Sequence, residues 1–402
     1  MQRLHNVPFS RLALFNFIML SLWGVVLRYM QLADVPFNYQ YLLHAHSHFA
    51  FSGWMFLSIA FLIARLCGGG KLSVGFHWVL ILAQVSAWGM LLSFSLQGYR
   101  AISITFSTLF VLVGFRMAYL VWKRKGLHIA VNPPARLLLN YALAFLCLSA
   151  LGPFALGPLA ALGMKASPLY QDAIYFYLHF QLNGFMELAV LGLLAGGLPM
   201  GSMMTGDKRW LQIFTLSAIP LYAIFCLWSR PASPIWWIAG IAAGLHMLSW
   251  LIFARRYRHC WIQMSWLERV ALSALTLKYL LQLAICFPPI GEWTFSNRNL
   301  IIGYIHLLTL GILMPLLIEQ LIRLGCLPQN ATTGRFLVVY MILVILYLAL
   351  LFLQPFLSLL GVIIPVYQLS LFILSLLFFL WGIGLFAKTH GKINIEYDPG
   401  HF

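Results

Sequence analysis

Three short segments of this chain share one form, His-x4-Gly: HFAFSG from His48, HFQLNG from His179 and HLLTLG from His306. In each, the glycine is followed by bulky side chains that include a methionine: Trp54–Met55, Phe185–Met186 and Ile312–Leu313–Met314. Imidazole ligates haem iron, copper, zinc and non-haem iron, so histidines in a repeated context are candidates for a metal or haem site. The first segment belongs to a longer run, HAHSHFAFSG, that adds His44 and His46. On a helix His44 lies one turn before His48 on the same face, whereas His46 points about 200° away from His44 at about 100° per residue. His44 and His48 are therefore rivals for one ligand position. A lone histidine in such a segment is equally well explained by a hydrogen bond to a neighbouring helix. Three in one context favour a function, since ionisable groups inside a membrane are functional candidates by default.

These histidines sit in long apolar segments. Of 402 residues, 62% are hydrophobic and 8% are charged, too few polar groups to cover a soluble domain, so the solvent is lipid. About twelve runs are long enough to cross a hydrocarbon core about 30 Å thick. They cover residues 12–32, 43–66, 74–96, 102–122, 137–162, 172–198, 210–228, 235–253, 270–287, 300–322, 336–356 and 359–386. The expected fold is an all-α polytopic membrane protein, a single integral membrane domain over residues 1–402 with its ligand-bearing helices at about 43–66, 172–198 and 300–322. The first run is too long for a cleaved signal peptide, and no small-residue cleavage site follows it.

The formal net charge of +16 does not form a nucleic-acid patch. Its basic residues fall in alternate loops: Arg65 and Lys71, Lys123 to Lys125 with Arg136, Lys208 and Arg209, Arg255, Arg256 and Arg258, then Arg323 and Arg335. With Arg3, Arg11, Lys388 and Lys392 near the ends, both termini are expected to be cytoplasmic. Cys67, Cys147, Cys226, Cys260, Cys286 and Cys326 form no CxxC pair and are expected to be free thiols.

By this count the repeated histidines lie on the second, sixth and tenth helices, one every four. Each comes about five to seven residues into its helix, about 8–10 Å below the outer surface at 1.5 Å per residue. Twelve helices with both termini inside, in three pseudo-repeated four-helix arcs with histidines on the second, sixth and tenth, resemble the catalytic subunit I of the haem-copper oxidase superfamily. The sixth helix is most similar to that of the nitric oxide reductase branch, where H-x4-G-x2-E-L matches His179, Gly184, Glu187 and Leu188.

The resemblance implies a haem-binding redox protein of a bacterial inner membrane, taking electrons from a cytochrome or a quinol, alone or with a partner subunit. It implies one low-spin haem b, held by His306 and either His48 or His44, with Arg298 a candidate for a haem propionate. A second haem, or a non-haem iron or copper using His179, is left open. Tyr304 stands where the high-spin haem's histidine belongs, and residues 210–228 contain no histidine pair for the second metal, so the binuclear centre is expected to be incomplete or altered. His246 lies too deep to substitute easily.

Glu187 and Lys278 are the two ionisable residues placed well inside the hydrocarbon, where an unpaired charge costs at least a few kcal/mol. They read equally as a proton path, with Thr276 and Gln282 beside Lys278, or as an interhelical ion pair. Two other readings compete with the redox protein: a secondary transporter or channel using this buried couple, or a haem- or metal-binding membrane protein of nitric oxide response resembling the NnrS family.

Overall fold

The computed structural model describes residues 7–124, 131–200 and 203–389. Arg3, Lys125 and Lys392 lie outside the described residues. Within them every regular element is a helix. Among the described residues, eleven helices are long and apolar enough to cross a membrane, and the pair Trp266–Ile285 and Pro288–Ser296, bent by 108°, makes a twelfth span if taken together. Counting that pair as the ninth, the second, sixth and tenth spans are Tyr39–Cys67, Pro168–Gly196 and Arg298–Arg323.

The lipid-facing pattern explains why hydropathy finds these spans. On the last span, Tyr367–Ala387, Leu369, Ile373, Leu376, Leu380 and Ile383 are exposed at helical spacing while Leu371, Phe378, Trp381 and Leu385 are buried. The eighth, Ser233–Arg256, turns Trp237, Ile241 and Leu248 outward and buries Ala239, Ala242, Ala243 and His246. Over residues 237–246 of the eighth, large side chains face outward and small or polar ones face protein, as close helix packing in a bilayer requires.

Three boundaries differ from expectation for physical reasons. The histidine-bearing helices begin earlier than the apolar runs; at the second, a cap sets the start, Asn38 accepting a hydrogen bond from the Tyr41 amide. His48, His179 and His306 therefore stand nine, eleven and eight residues beyond Tyr39, Pro168 and Arg298, about 12–17 Å along each axis and deeper than expected. The ninth span ends in a sharp corner before Pro288. Gly291 is needed there, since a Cβ would come within 2.5 Å of the Ile285 carbonyl oxygen and 3.0 Å of Trp236. Finally, the run 359–386 is interrupted: Ala331–Leu359 ends, Gly361 turns with φ +70°, and the next helix starts at Tyr367. The turn is itself apolar, so composition hides it.

The chain forms two compact units, residues 7–124 with 317–389 and residues 131–316 as far as described. The boundary falls within the tenth span. In the first unit, the first span Phe9–Tyr29 packs along the last, and the third, Val74–Gln97, along the second and the fourth. In the other unit, the fifth span Pro133–Ala161 packs along the sixth, and the seventh, Thr205–Ser229, along the eighth. The ninth meets the tenth at Leu307–Leu313.

Candidate functional site

Each His-x4-Gly segment leaves regular α-helical bonding just past its histidine, at the next residue after His179 and His306 and one residue later after His48. Ala50–Phe56, Phe180–Met186 and Leu307–Leu313 are π-helical turns of seven residues each. A π turn is rare, weakens the local ladder and frequently marks a functional site. The spans carrying them are also the most enclosed. Over their most apolar windows, 89%, 94% and 67% of the second, sixth and tenth spans is buried, against no more than 50% for any other unbroken span.

Side chains donate to backbone carbonyls in and beside these turns. In the second span Ser52 donates to the His48 carbonyl at 2.7 Å, and Asn16 of the first span donates to the Gly53 carbonyl at 2.6 Å. Asn16 is wholly buried, and its amide also exchanges hydrogen bonds with Gln84 and accepts one from Trp88. In the tenth span Thr309 donates to the Ile305 carbonyl at 2.9 Å. In the sixth, Gly184 allows close approach of Phe145, which a Cβ would meet at 2.9 Å.

The histidines of the second span separate as their spacing predicts. His44 and His48 both face the third span: His48 stacks on Phe94 with ring centroids 4.4 Å apart, and its Nε2 lies 2.8 Å from the Tyr99 hydroxyl. His44 meets the edge of Tyr99 at 4.8 Å. His46 faces the first span instead, where a Cβ on Gly24 would come within 3.4 Å of its ring.

His179 is fully buried, and both its ring nitrogens are engaged. Its Nε2–H donates to the Ala218 carbonyl at 2.7 Å, and Nδ1 lies 3.4 Å from the Asn183 amide nitrogen. The Ala218 carbonyl needs that donor because the seventh span tightens from α to 3₁₀ at Tyr222, whose amide turns to the Ile219 and Pro220 carbonyls instead. This is ordinary backbone satisfaction, and it leaves His179 poorly suited to a metal. Among the described residues no three His, Cys, Asp or Glu side chains are grouped so as to hold a metal ion. The donor set therefore does not fit a non-haem metal centred on His179.

His306 differs. Its Nδ1–H donates to the Ile302 carbonyl one turn back at 2.8 Å, which fixes the tautomer with the lone pair on Nε2. A backbone acceptor on one ring nitrogen is a support that ligating histidines commonly have. Tyr304 does not take the place of a missing ligand: its hydroxyl donates to Asn183 Oδ1 and accepts from Gln282 Nε2, each at 2.9 Å. Arg298 begins the tenth span, eight residues or about 12 Å of helix before His306.

Glu187 and Lys278 meet, both buried. Glu187 accepts from Lys278 Nζ at 2.5 Å through one oxygen and from the Tyr279 hydroxyl at 2.5 Å through the other. Of the two readings the sequence left open, the distances support the ion pair; Thr276 turns away and accepts from Trp250 Nε1. Beside the pair, His246 is hydrogen-bonded to Ser217 at 2.8 Å and presents its ring to Tyr279 at 4.8 Å. Sequence reasoning passed over Asn183, Ser217 and Tyr279. Their signal was present, since each is a polar side chain inside an apolar span.

Next to this cluster lies an apolar cavity of about 110 Å³, walled by Leu194, Trp250, Phe253, Tyr257 and Cys260. In the connection after the eighth span, burial pushes the Tyr257 hydroxyl and the Cys260 thiol above their ordinary ranges, so both are neutral at pH 7.

No model of a known protein family matches the chain, and no curated protein does.

Proposed function

We propose that this chain is a haem-binding redox protein of the membrane, of the type of the oxygen and nitric oxide reductases, with one low-spin b-type haem that uses His306 as an axial ligand. One observation carries the reading: the three spans that bear His-x4-Gly are the most enclosed, and each has a π-helical turn that begins one or two residues past its histidine. A threefold repeat of a costly local feature, every fourth span, supports the arrangement of three four-helix arcs, and the alternation of basic loops supports cytoplasmic termini. When bound, the haem supplies one-electron chemistry. The chain's own part is to hold the His306 ring in its ligating tautomer and to enclose the site with apolar side chains. No role is proposed for a metal at His179, whose nitrogens the backbone and Asn183 occupy.

Optical spectra of the purified protein, oxidised, reduced with dithionite and reduced under carbon monoxide, test this. Sharp low-spin b-type bands without a carbon monoxide shift are expected, and their loss in His306→Ala. Absence of haem from protein expressed with ample haem supply rejects the reading. The same spectra on His44→Ala and His48→Ala test the two candidates of the second span.

A second reading, a secondary transporter, draws support from the broken ninth span and the buried Glu187–Lys278 pair. Haem-free protein that accumulates solute along an imposed proton gradient in proteoliposomes would favour it.

A further inference from the structure

The apolar cavity of about 110 Å³ has a mouth and one unused polar group. Leu191 and Leu194 of the sixth span, Trp250 of the eighth, Tyr257 just past it and Leu272 of the ninth wall it. An engineered apolar cavity of about 150 Å³ takes a benzene ring, so this one has room for a stretch of hydrocarbon. Three of its lining residues, Ala254, Trp261 and Ser273, are exposed and mark the mouth. That mouth faces lipid. Ser273 stands in a row of the ninth span, with Trp266, Val270, Leu277 and Leu280, that is exposed at helical spacing. Ala254 continues the exposed Leu248 and Leu251 of the eighth. Apolar rows at this spacing form one face of a helix, and the solvent such a face meets here is hydrocarbon.

Tyr257 is only 7% exposed, and its hydroxyl has no hydrogen-bond partner among the described residues. A buried donor left unpaired is costly and calls for an explanation. A water needs at least two polar partners. The other hydroxyls of the lining are already spent, Ser273 on the Arg269 carbonyl at 2.9 Å and Thr276 on the Leu272 carbonyl at 3.0 Å. What suits the space is hydrocarbon carrying one acceptor oxygen.

Beyond the mouth the chain is basic. Arg255 and Arg258 are exposed and make no ion pair among the described residues, whereas Arg256 is held by Asp207 at 3.0 Å. Trp261 and Ile262 beside them are 41% and 84% exposed, and tryptophan next to basic residues marks the level where head groups meet acyl chains. Ala254 directly precedes Arg255, so the mouth lies at that level.

We infer that the cavity holds one acyl chain of an anionic glycerophospholipid, with an ester carbonyl accepting from Tyr257 and the phosphate set against Arg255 and Arg258. The chain enters sideways between the eighth and ninth spans. A zwitterionic lipid would fill the cavity without matching the two guanidiniums, and free phosphate would match them without filling the cavity. Clusters of basic residues next to a span recognise anionic head groups in the same way. The site stands apart from the haem reading.

Native mass spectrometry of the full-length protein tests this, with dioleoyl phosphatidylglycerol, dioleoyl phosphatidylcholine or inorganic phosphate titrated into the detergent solution. One tightly retained phosphatidylglycerol per chain is expected, with phosphatidylcholine held more weakly. Tyr257→Phe should weaken retention about threefold to tenfold, the effect of one neutral hydrogen bond. Ala254→Phe fills the mouth and should abolish it. Arg255→Gln combined with Arg258→Gln should erase the preference for phosphatidylglycerol and leave a chain bound. Melting separates a ligand site from a packing defect. Without lipid, Tyr257→Phe should melt no lower than the parent, since it removes an unpaired hydroxyl, and phosphatidylglycerol should raise the parent's melting temperature more than the variant's. Equal lipid shifts in the two proteins overturn the proposal. So does phosphatidylcholine held as tightly as phosphatidylglycerol, or stabilisation reproduced by phosphate alone, which would make this a site for a free anion.

Discussion

His179 and His306 share a sequence context, yet their rings are held differently. The carbonyl that each ring faces decides this. His306 bonds a carbonyl of its own helix and keeps Nε2 as the acceptor nitrogen. His179 reaches across to Ala218 and spends its Nε2–H on a stranded backbone group. Replacing His179 with alanine leaves that carbonyl buried and unpaired, which costs about 1–3 kcal/mol. Thermal unfolding of His179→Ala should therefore begin at a lower temperature while any haem bands persist; loss of the bands with unchanged stability would make His179 a ligand after all. The repeated motif was legible in the sequence, but not this division of labour, because which carbonyl loses its partner depends on a 3₁₀ turn in another span.

At the level of helices, the Glu187–Lys278–Tyr279 cluster joins the sixth span to the ninth. A buried ion pair adds little net stability relative to an apolar pair of similar volume, but removing one partner leaves a charge in a low-dielectric interior. Glu187→Leu or Lys278→Met alone should destabilise the protein by about 3–5 kcal/mol, and the double variant by much less. Additive losses in chemical denaturation would contradict the pairing. The number and order of spans were legible from runs of about 20 apolar residues. The π turns were not, because a shift in hydrogen-bond register leaves no mark in composition. The corner at Pro288 was announced by two prolines but concealed by the apolar residues on either side.

For the whole molecule, the alternation of basic loops predicts sidedness. On the proposed topology, with both termini cytoplasmic, the connection holding Lys165 faces the opposite side from that holding Arg258; both residues are exposed. In a cysteine-free background, Lys165→Cys and Arg258→Cys should react with a membrane-impermeant maleimide from opposite faces of sealed vesicles. Labelling from one face would break the proposed topology.

The discontinuous unit also imposes an order on the protein's birth. Residues 127–316 are translated between its two parts, which at about 5–20 residues per second takes roughly 10–40 s. Throughout that interval Arg28 waits for the Tyr347 hydroxyl that its guanidinium contacts at 2.6 Å, and Phe17 waits for the Trp381 ring 6.0 Å away. The first four spans must therefore persist as an unfinished intermediate during synthesis, sheltered by the insertion apparatus or by lipid, until the last two helices emerge to complete them.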